Sequence, residues 1–281
     1  MPQLDFFALA MLEVVLAGAL AGLVGVLVVL RERAFFTMSL THATFPGAVA
    51  AAMLGGSVPL GAAVAAVALI AVAVGIGRIR SQGAAVASGV MLTAGFALGA
   101  LLQSLAALPI DVESFLVGQV LAVTGPDLGL TAVLLAVAIV VWAVAGPHLV
   151  FSSADEAGYR RAGLRPWVPE AVSLALIAAT VVAIMPVVGA ILGVALIVAP
   201  AAAARLVVRD WRWMLVLAPA IGIVSGVAGL TASRWFDVAA GGAIALVAAL
   251  LYGIAWLVAR LRERSPARAG ATRGTIEART P

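Results

Sequence analysis

The sequence predicts an all-α fold: a polytopic bundle of eight or nine transmembrane helices. Three observations carry this. The chain is 64% hydrophobic and only 11% charged, with a mean hydropathy of +1.18. Apolar windows of membrane-spanning length recur along it, and its charges gather in clusters between those windows instead of along amphipathic faces.

A crossing needs about 20 apolar residues, and the windows are 7–30, 35–54, 58–77, 84–107, 127–146, 168–185, 187–207, 213–233 and 238–259. The first lacks a basic leader and reads as a retained helix, not a cleaved signal. The narrowest divide falls at Met185-Pro186, where some 40 apolar residues must hold two short spans. The stretch 108–126, LPIDVESFLVGQVLAVTGP, is too polar and short to cross, and reads as an external loop with a short helix on or in the bilayer. Residues 1–264 read as one transmembrane domain. The small, polar, basic stretch 265–281 reads as a disordered cytoplasmic tail.

All 17 basic residues are arginine. With the N-terminus outside and the C-terminus cytoplasmic, the clusters Arg31/Arg33, Arg78/Arg80, Arg160/Arg161/Arg165, Arg205/Arg209/Arg212 and Arg260/Arg262/Arg264 all fall inside. Only Arg234 does not. The acids Asp5, Asp111, Glu113, Asp127 and Asp237 lie on the other side, as the positive-inside rule requires. The basic pI of about 10.9 is therefore a topology signal and implies no nucleic-acid partner.

Several classes are excluded. There are no cysteines, so disulfides and thiolate metal ligands are ruled out. Neither a Walker motif, nor a nucleophile elbow, nor HExxH, nor paired intramembrane aspartates occurs, so the chain has no evident way to hydrolyse ATP or a peptide bond by itself, and whatever drives it comes from a gradient or a partner. The 29 glycines include Gly18/Gly22, Gly95/Gly99 and Gly189/Gly193 at small-xxx-small spacing, which reads as close helix packing.

One ionisable residue stands out. In FFTMSLTHATFPGAVAAAML (35–54), His42 lies roughly 10 Å below the charged face set by Arg31-Glu32-Arg33, too deep to snorkel. Such a group is turned toward a pathway or a partner. The longest cytoplasmic loop, about 148–167, contains SSADEAGYRRAGLRPW, with a helix-start signal at Ser152/Ser153, acids next, arginines later, and Gly163 near the end. It reads as a docking helix or as a plain connector.

Together, three segments resemble the integral-membrane permease of the zinc/manganese/iron family of bacterial ABC importers, over roughly residues 10–260. Thr37-Met38-Ser39-Leu40-Thr41-His42-Ala43-Thr44-Phe45-Pro46-Gly47 resembles the family's Gly-Asp-Ala-Leu-Ser-His-Ala-x-x-Pro-Gly. Asp111-Val112-Glu113-Ser114-Phe115-Leu116-Val117-Gly118-Gln119-Val120-Leu121 is similar to its external segment. Val188-Gly189 through Pro200-Ala201-Ala202-Ala203-Ala204-Arg205 is similar to its late pattern.

The resemblance implies a permease subunit of an ATP-driven metal-ion importer working by alternating access, with zinc or manganese foremost and iron next. Its partners would be a second copy of itself, a pair of cytoplasmic ABC ATPases and an extracytoplasmic metal-binding protein, all at the cell membrane. No cofactor would be held permanently; the divalent ion is cargo. Asp155, Glu156, Arg160 and Gly163 match the family's coupling segment, and Glu113 and Gln119 its external segment. The family places an Asp and a His one turn apart in an intramembrane metal site. His42 is kept, while Met38 stands in place of the Asp and Gln119 in place of a second acid. His42, Met38 and Thr41 are thus the expected pathway group. A thioether brings neither the charge nor the hard oxygen of a carboxylate. Metal chelates are the neighbouring substrate class. A self-contained secondary transporter would need an ionisable coupling residue near the midplane, for which only Glu13 and His42 are candidates.

Overall fold

The computed structural model describes residues 2–76, 84–106, 118 and 120–264. Among these every regular element is helical: α1 (Pro2–Leu30), α2 (Ala34–Ala43), α3 (Phe45–Met53), α4 (Val58–Ile76), α5 (Ala84–Ala106), a 3-10 turn (Val120–Ala122), α6 (Gly125–Ala154), α7 (Glu156–Arg161), α8 (Trp167–Val188), α9 (Ala190–Val207), α10 (Trp211–Phe236) and α11 (Ala240–Arg264).

Helix α1 is the axis of the bundle. Its span Phe6–Leu30 is 78% buried, and it packs against α6, α8, α9 and α10. Glycine makes this possible. A Cβ on Gly18 would lie 2.6 Å from the carbonyl oxygen of Gly222 in α10, and one on Gly222 would lie closer still to that of Gly18, so the two backbones touch. Gly47 in α3 and Gly61 in α4 form a second mutual pair of this kind. Gly95 and Gly99 in α5 lie against Ala43 and Phe45. The third spaced pair differs: Gly189 is the junction between α8 and α9 with φ at 87°, while Gly193 meets Ile184 only at an ordinary 3.7 Å.

Among the described residues six helices are clearly long and apolar enough to cross a membrane: the spans Phe6–Leu30, Val86–Leu105, Gly125–Ala154, Trp167–Met185, Trp211–Phe236 and Ala240–Arg262. The expected eight or nine crossings are not all of this kind. The window 35–54 is two helices of 10 and 9 residues, and the windows 58–77 and 187–207 hold shorter apolar runs, Val58–Val72 and Gly193–Val207. The interruption has a sequence cause. Pro46 has no N–H to offer the carbonyl four residues back, that of His42, and its ring crowds that carbonyl.

Two boundaries move. The α8–α9 junction falls at Gly189, not at Met185-Pro186, because a positive φ is open to glycine at little cost. Helix α6 runs past Pro147 to Ala154, so the first third of the expected loop 148–167 is helix. Its start is fixed by a capping box in which the Asp127 carboxylate accepts from the Thr124 backbone N–H at 3.0 Å. The stretch 107–117 that was expected to be external, including Asp111 and Glu113, lies outside the described residues, as do Gln119 and the tail 265–281.

Candidate metal pathway and coupling face

The α2–α3 interruption positions the candidate ion group. Thr44 joins the two helices; its hydroxyl donates to the Thr41 carbonyl at 3.1 Å and reaches Met185 Sδ at 3.9 Å. His42 lies just before this joint, half-buried, its ring edge-on to Phe96 of α5 at 5.9 Å. Phe96 in turn stacks on Phe45 at 6.1 Å. Among the described residues the imidazole makes no hydrogen bond. A histidine kept for structure would satisfy its ring nitrogens on a neighbouring helix, so this ring is left with nitrogen lone-pair chemistry to offer.

Met38 is one helical turn earlier on the same face and 41% exposed. Its flexible thioether is a soft, weak ligand. Thr41 is turned the other way: it is buried, and its hydroxyl donates to the Met38 carbonyl at 2.7 Å. The structure thus brings His42 and Met38 together and sets Thr41 behind them. Among the described residues no three His, Cys, Asp or Glu side chains gather where they could hold a metal.

Helix α7 carries the residues expected to form the docking segment. The helix start is two residues beyond Ser153: Asp155 is the N-cap, its carboxylate accepting from Gly158 N at 2.7 Å, while Ser152 and Ser153 belong to the last turn of α6. Glu156 and Arg160 form an exposed i,i+4 ion pair. Gly163 ends the segment with φ at 77°. Tyr159 fastens α7 onto α6: it is buried, its ring 5.3 Å from that of Phe151, and its hydroxyl 3.4 Å from His148 Nδ1.

Glu13 has a partner that its position in the sequence did not reveal. It is fully buried in α1, and one carboxylate oxygen accepts from the Thr131 hydroxyl of α6 at 2.7 Å. An acid within an apolar run signals an intramembrane contact, but only the fold supplies the other half.

The model of the ABC 3 transport family matches residues 3–259. The chain is 32% identical over 260 residues to the manganese transport system membrane protein MntC of Listeria monocytogenes, covering 92% of each. It is 28% identical over 257 residues to the manganese import system permease protein ScaB of Streptococcus gordonii, covering 90% of this chain and 91% of that one. A chain of the solved structure of PsaBC from Streptococcus pneumoniae in complex with Fab superposes with a TM-score of 0.81 at 28% identity, covering 89% of this chain and 91% of that one. With its helical bundle, its interrupted second helix and this match over nearly its whole length, the chain belongs to the ABC 3 transport family as an integral-membrane permease.

Proposed function

We propose that this permease carries a divalent transition metal ion, manganese foremost, into the cell as one half of a homodimer driven by a pair of cytoplasmic ABC ATPases. The observation that carries the reading is His42: an imidazole within the membrane, beside a proline-broken helix, with no hydrogen bond among the described residues. The names of the manganese-system relatives support the choice of metal. Zinc, iron and metal chelates are the competing cargoes.

The ion arrives from an extracytoplasmic metal-binding protein, meets His42 with Met38 beside it, and leaves inward when the paired permeases reopen. One nitrogen and a thioether hold a hard divalent ion weakly, which suits passage. The α7 segment, with Asp155, Glu156, Arg160 and Gly163, receives the movement of the ATPase.

The topology in this reading has nine crossings. Helices α2 and α3 together hold about the 20 residues one crossing requires. With α4 (19 residues) and α9 (18 residues), they join the six clear spans. An odd number places the N-terminus outside and the C-terminus with the arginine clusters.

The test is ion uptake by the complex reconstituted with its ATPase, across Mn²⁺, Zn²⁺ and Fe²⁺. His42→Ala abolishes uptake while the complex still assembles. Met38→Asp, which adds a charged oxygen one turn away, tightens Mn²⁺ binding by about tenfold, on the order of 1.4 kcal/mol, and slows release. Normal uptake by His42→Ala would remove the residue from the pathway.

A further inference from the structure

A cluster of three charged side chains sits where α1 ends, α2 begins, and α6 and α8 meet them, and neither the ion site nor the docking face uses it. Arg31 has a side chain only 6% exposed. It donates to Glu170 of α8 at 2.8 Å, to Ser152 Oγ at 2.6 Å and to the Leu149 carbonyl at 3.3 Å, both of the latter in the last turns of α6. Arg33 donates to the other oxygen of Glu170 at 2.5 Å. One carboxylate is therefore gripped by two guanidiniums, each from the turn between α1 and α2. Burial pulls Arg31 below the usual arginine range, and Glu170 is the main group opposing that pull, with Glu156 of α7 adding to it.

The cluster joins the two functional ends. From below, α7 is fastened by Tyr159 to Phe151 and His148, and Ser152, the residue after Phe151, is bonded to Arg31. Above, the Arg33 carbonyl accepts from both the backbone N–H and the hydroxyl of Thr37, at 2.9 and 3.0 Å, so the first turn of α2 hangs on Arg33. His42 lies nine residues on, about 14 Å along a rigid helix. The chain of contacts is continuous: α7, the end of α6, Arg31, Glu170, Arg33, α2.

The cluster also leaves one donor unspent. Arg31 Nε is buried without a hydrogen-bond partner, and two cations share one anion. A strut selected only to hold the fold would satisfy that donor. An unspent donor beside a shared acceptor is what a two-position element retains.

We propose that Glu170, held between Arg31 and Arg33, is the positioning residue that transmits movement of α7 to the His42-bearing helix, a role that rests on α7 being the ATPase docking segment. Its loss separates ATP hydrolysis from ion movement without detaching the ATPase.

The test uses the full importer in liposomes, with ion uptake and ATP hydrolysis measured together and ATPase co-purification as the assembly check. Glu170→Gln keeps the size and one acceptor oxygen but removes the charge; ions moved per ATP should fall by about tenfold, within the usual range of coupling between sites. Hydrolysis and co-purification stay near normal, and Glu170→Asp restores most of the ratio, which a merely structural role would not produce. An unchanged ratio in Glu170→Gln overturns the proposal. Should that variant fail to assemble, Ser152→Ala, which removes one bond to Arg31, decides: a lowered ratio supports the relay, and an unchanged one overturns it. Gly163→Val, which forces a branched residue into a positive φ, separates the two readings. If it leaves coupling intact, α7 is not the docking segment; if it uncouples while Glu170→Gln does not, only the relay is lost.

Discussion

Helix α5 offers a matched pair of substitutions that measures how tightly it is seated beside the ion site. A Cβ on Gly95 would lie 2.5 Å from the Cα of Ala43 and 2.7 Å from its Cβ, whereas a Cβ on Gly89 would meet only the Phe35 ring at 3.8 Å. Carbon atoms rest at about 3.5–4.0 Å, so Gly95→Ala must push α5 off α2 by about 1 Å, forfeiting a quarter to a half of the dispersion energy along that contact. Overpacking of this kind costs about 1–3 kcal/mol. Replacing glycine by alanine within a helix also gains up to about 1 kcal/mol from backbone entropy, and that gain is common to both sites. The difference in stability between Gly95→Ala and Gly89→Ala therefore isolates the steric cost. Thermal unfolding of the two purified variants in one detergent should place Gly95→Ala below the parent protein and Gly89→Ala at or above it. Because Phe96 lies beside the substituted residue and edge-on to His42, ion uptake should fall with Gly95→Ala as well. Equal unfolding midpoints would mean that α5 does not sit against Ala43 as described.

Two further expectations can be checked directly. Thr131→Val leaves the buried Glu13 carboxylate without its one hydroxyl donor and should cost about 1–3 kcal/mol, while the double variant Glu13→Leu/Thr131→Val recovers much of the loss, since removing both partners leaves no orphan; a neutral Thr131→Val in thermal unfolding would refute the contact. A reporter fused after Arg264 should read as cytoplasmic and one inserted near Asp111 as external; an external C-terminus would require an even number of crossings.

The sequence was most informative where physics is local. Span length and arginine placement are properties of short segments, and the membrane class and the prominence of His42 follow from them, whereas the break of the 35–54 window at Pro46 is seen only in the structure. Boundaries were harder. Pro147 looks like a terminator, yet α6 continues seven residues beyond it, because one missing hydrogen bond is tolerated when the following turns are packed against a neighbour, here by Tyr159 on Phe151. Small-xxx-small spacing was legible at Gly18/Gly22 and Gly95/Gly99 but misleading at Gly189/Gly193, where the first glycine serves a turn; spacing alone does not tell a contact from a junction. Glu170 escaped notice because its meaning depends on Arg31 and Arg33, more than 130 residues away. Thr41 joined the expected pathway group by adjacency in sequence, and only the structure shows it buried with its hydroxyl spent on the Met38 carbonyl.

The mutual glycine contacts also bear on where this protein can bend. Two helices whose main chains touch are keyed together: with no side chains between them to roll or re-pack, they cannot slip by small amounts. Gly18 with Gly222 keys α1 to α10, and Gly47 with Gly61 keys α3 to α4. Each pair behaves as one stiff body. Between these bodies runs α2, bounded by the Arg31–Arg33 turn on one side and the Thr44 joint on the other. His42 lies on those ten residues, so in the proposed transport cycle a shift of one keyed pair against the other would act on the segment that carries it.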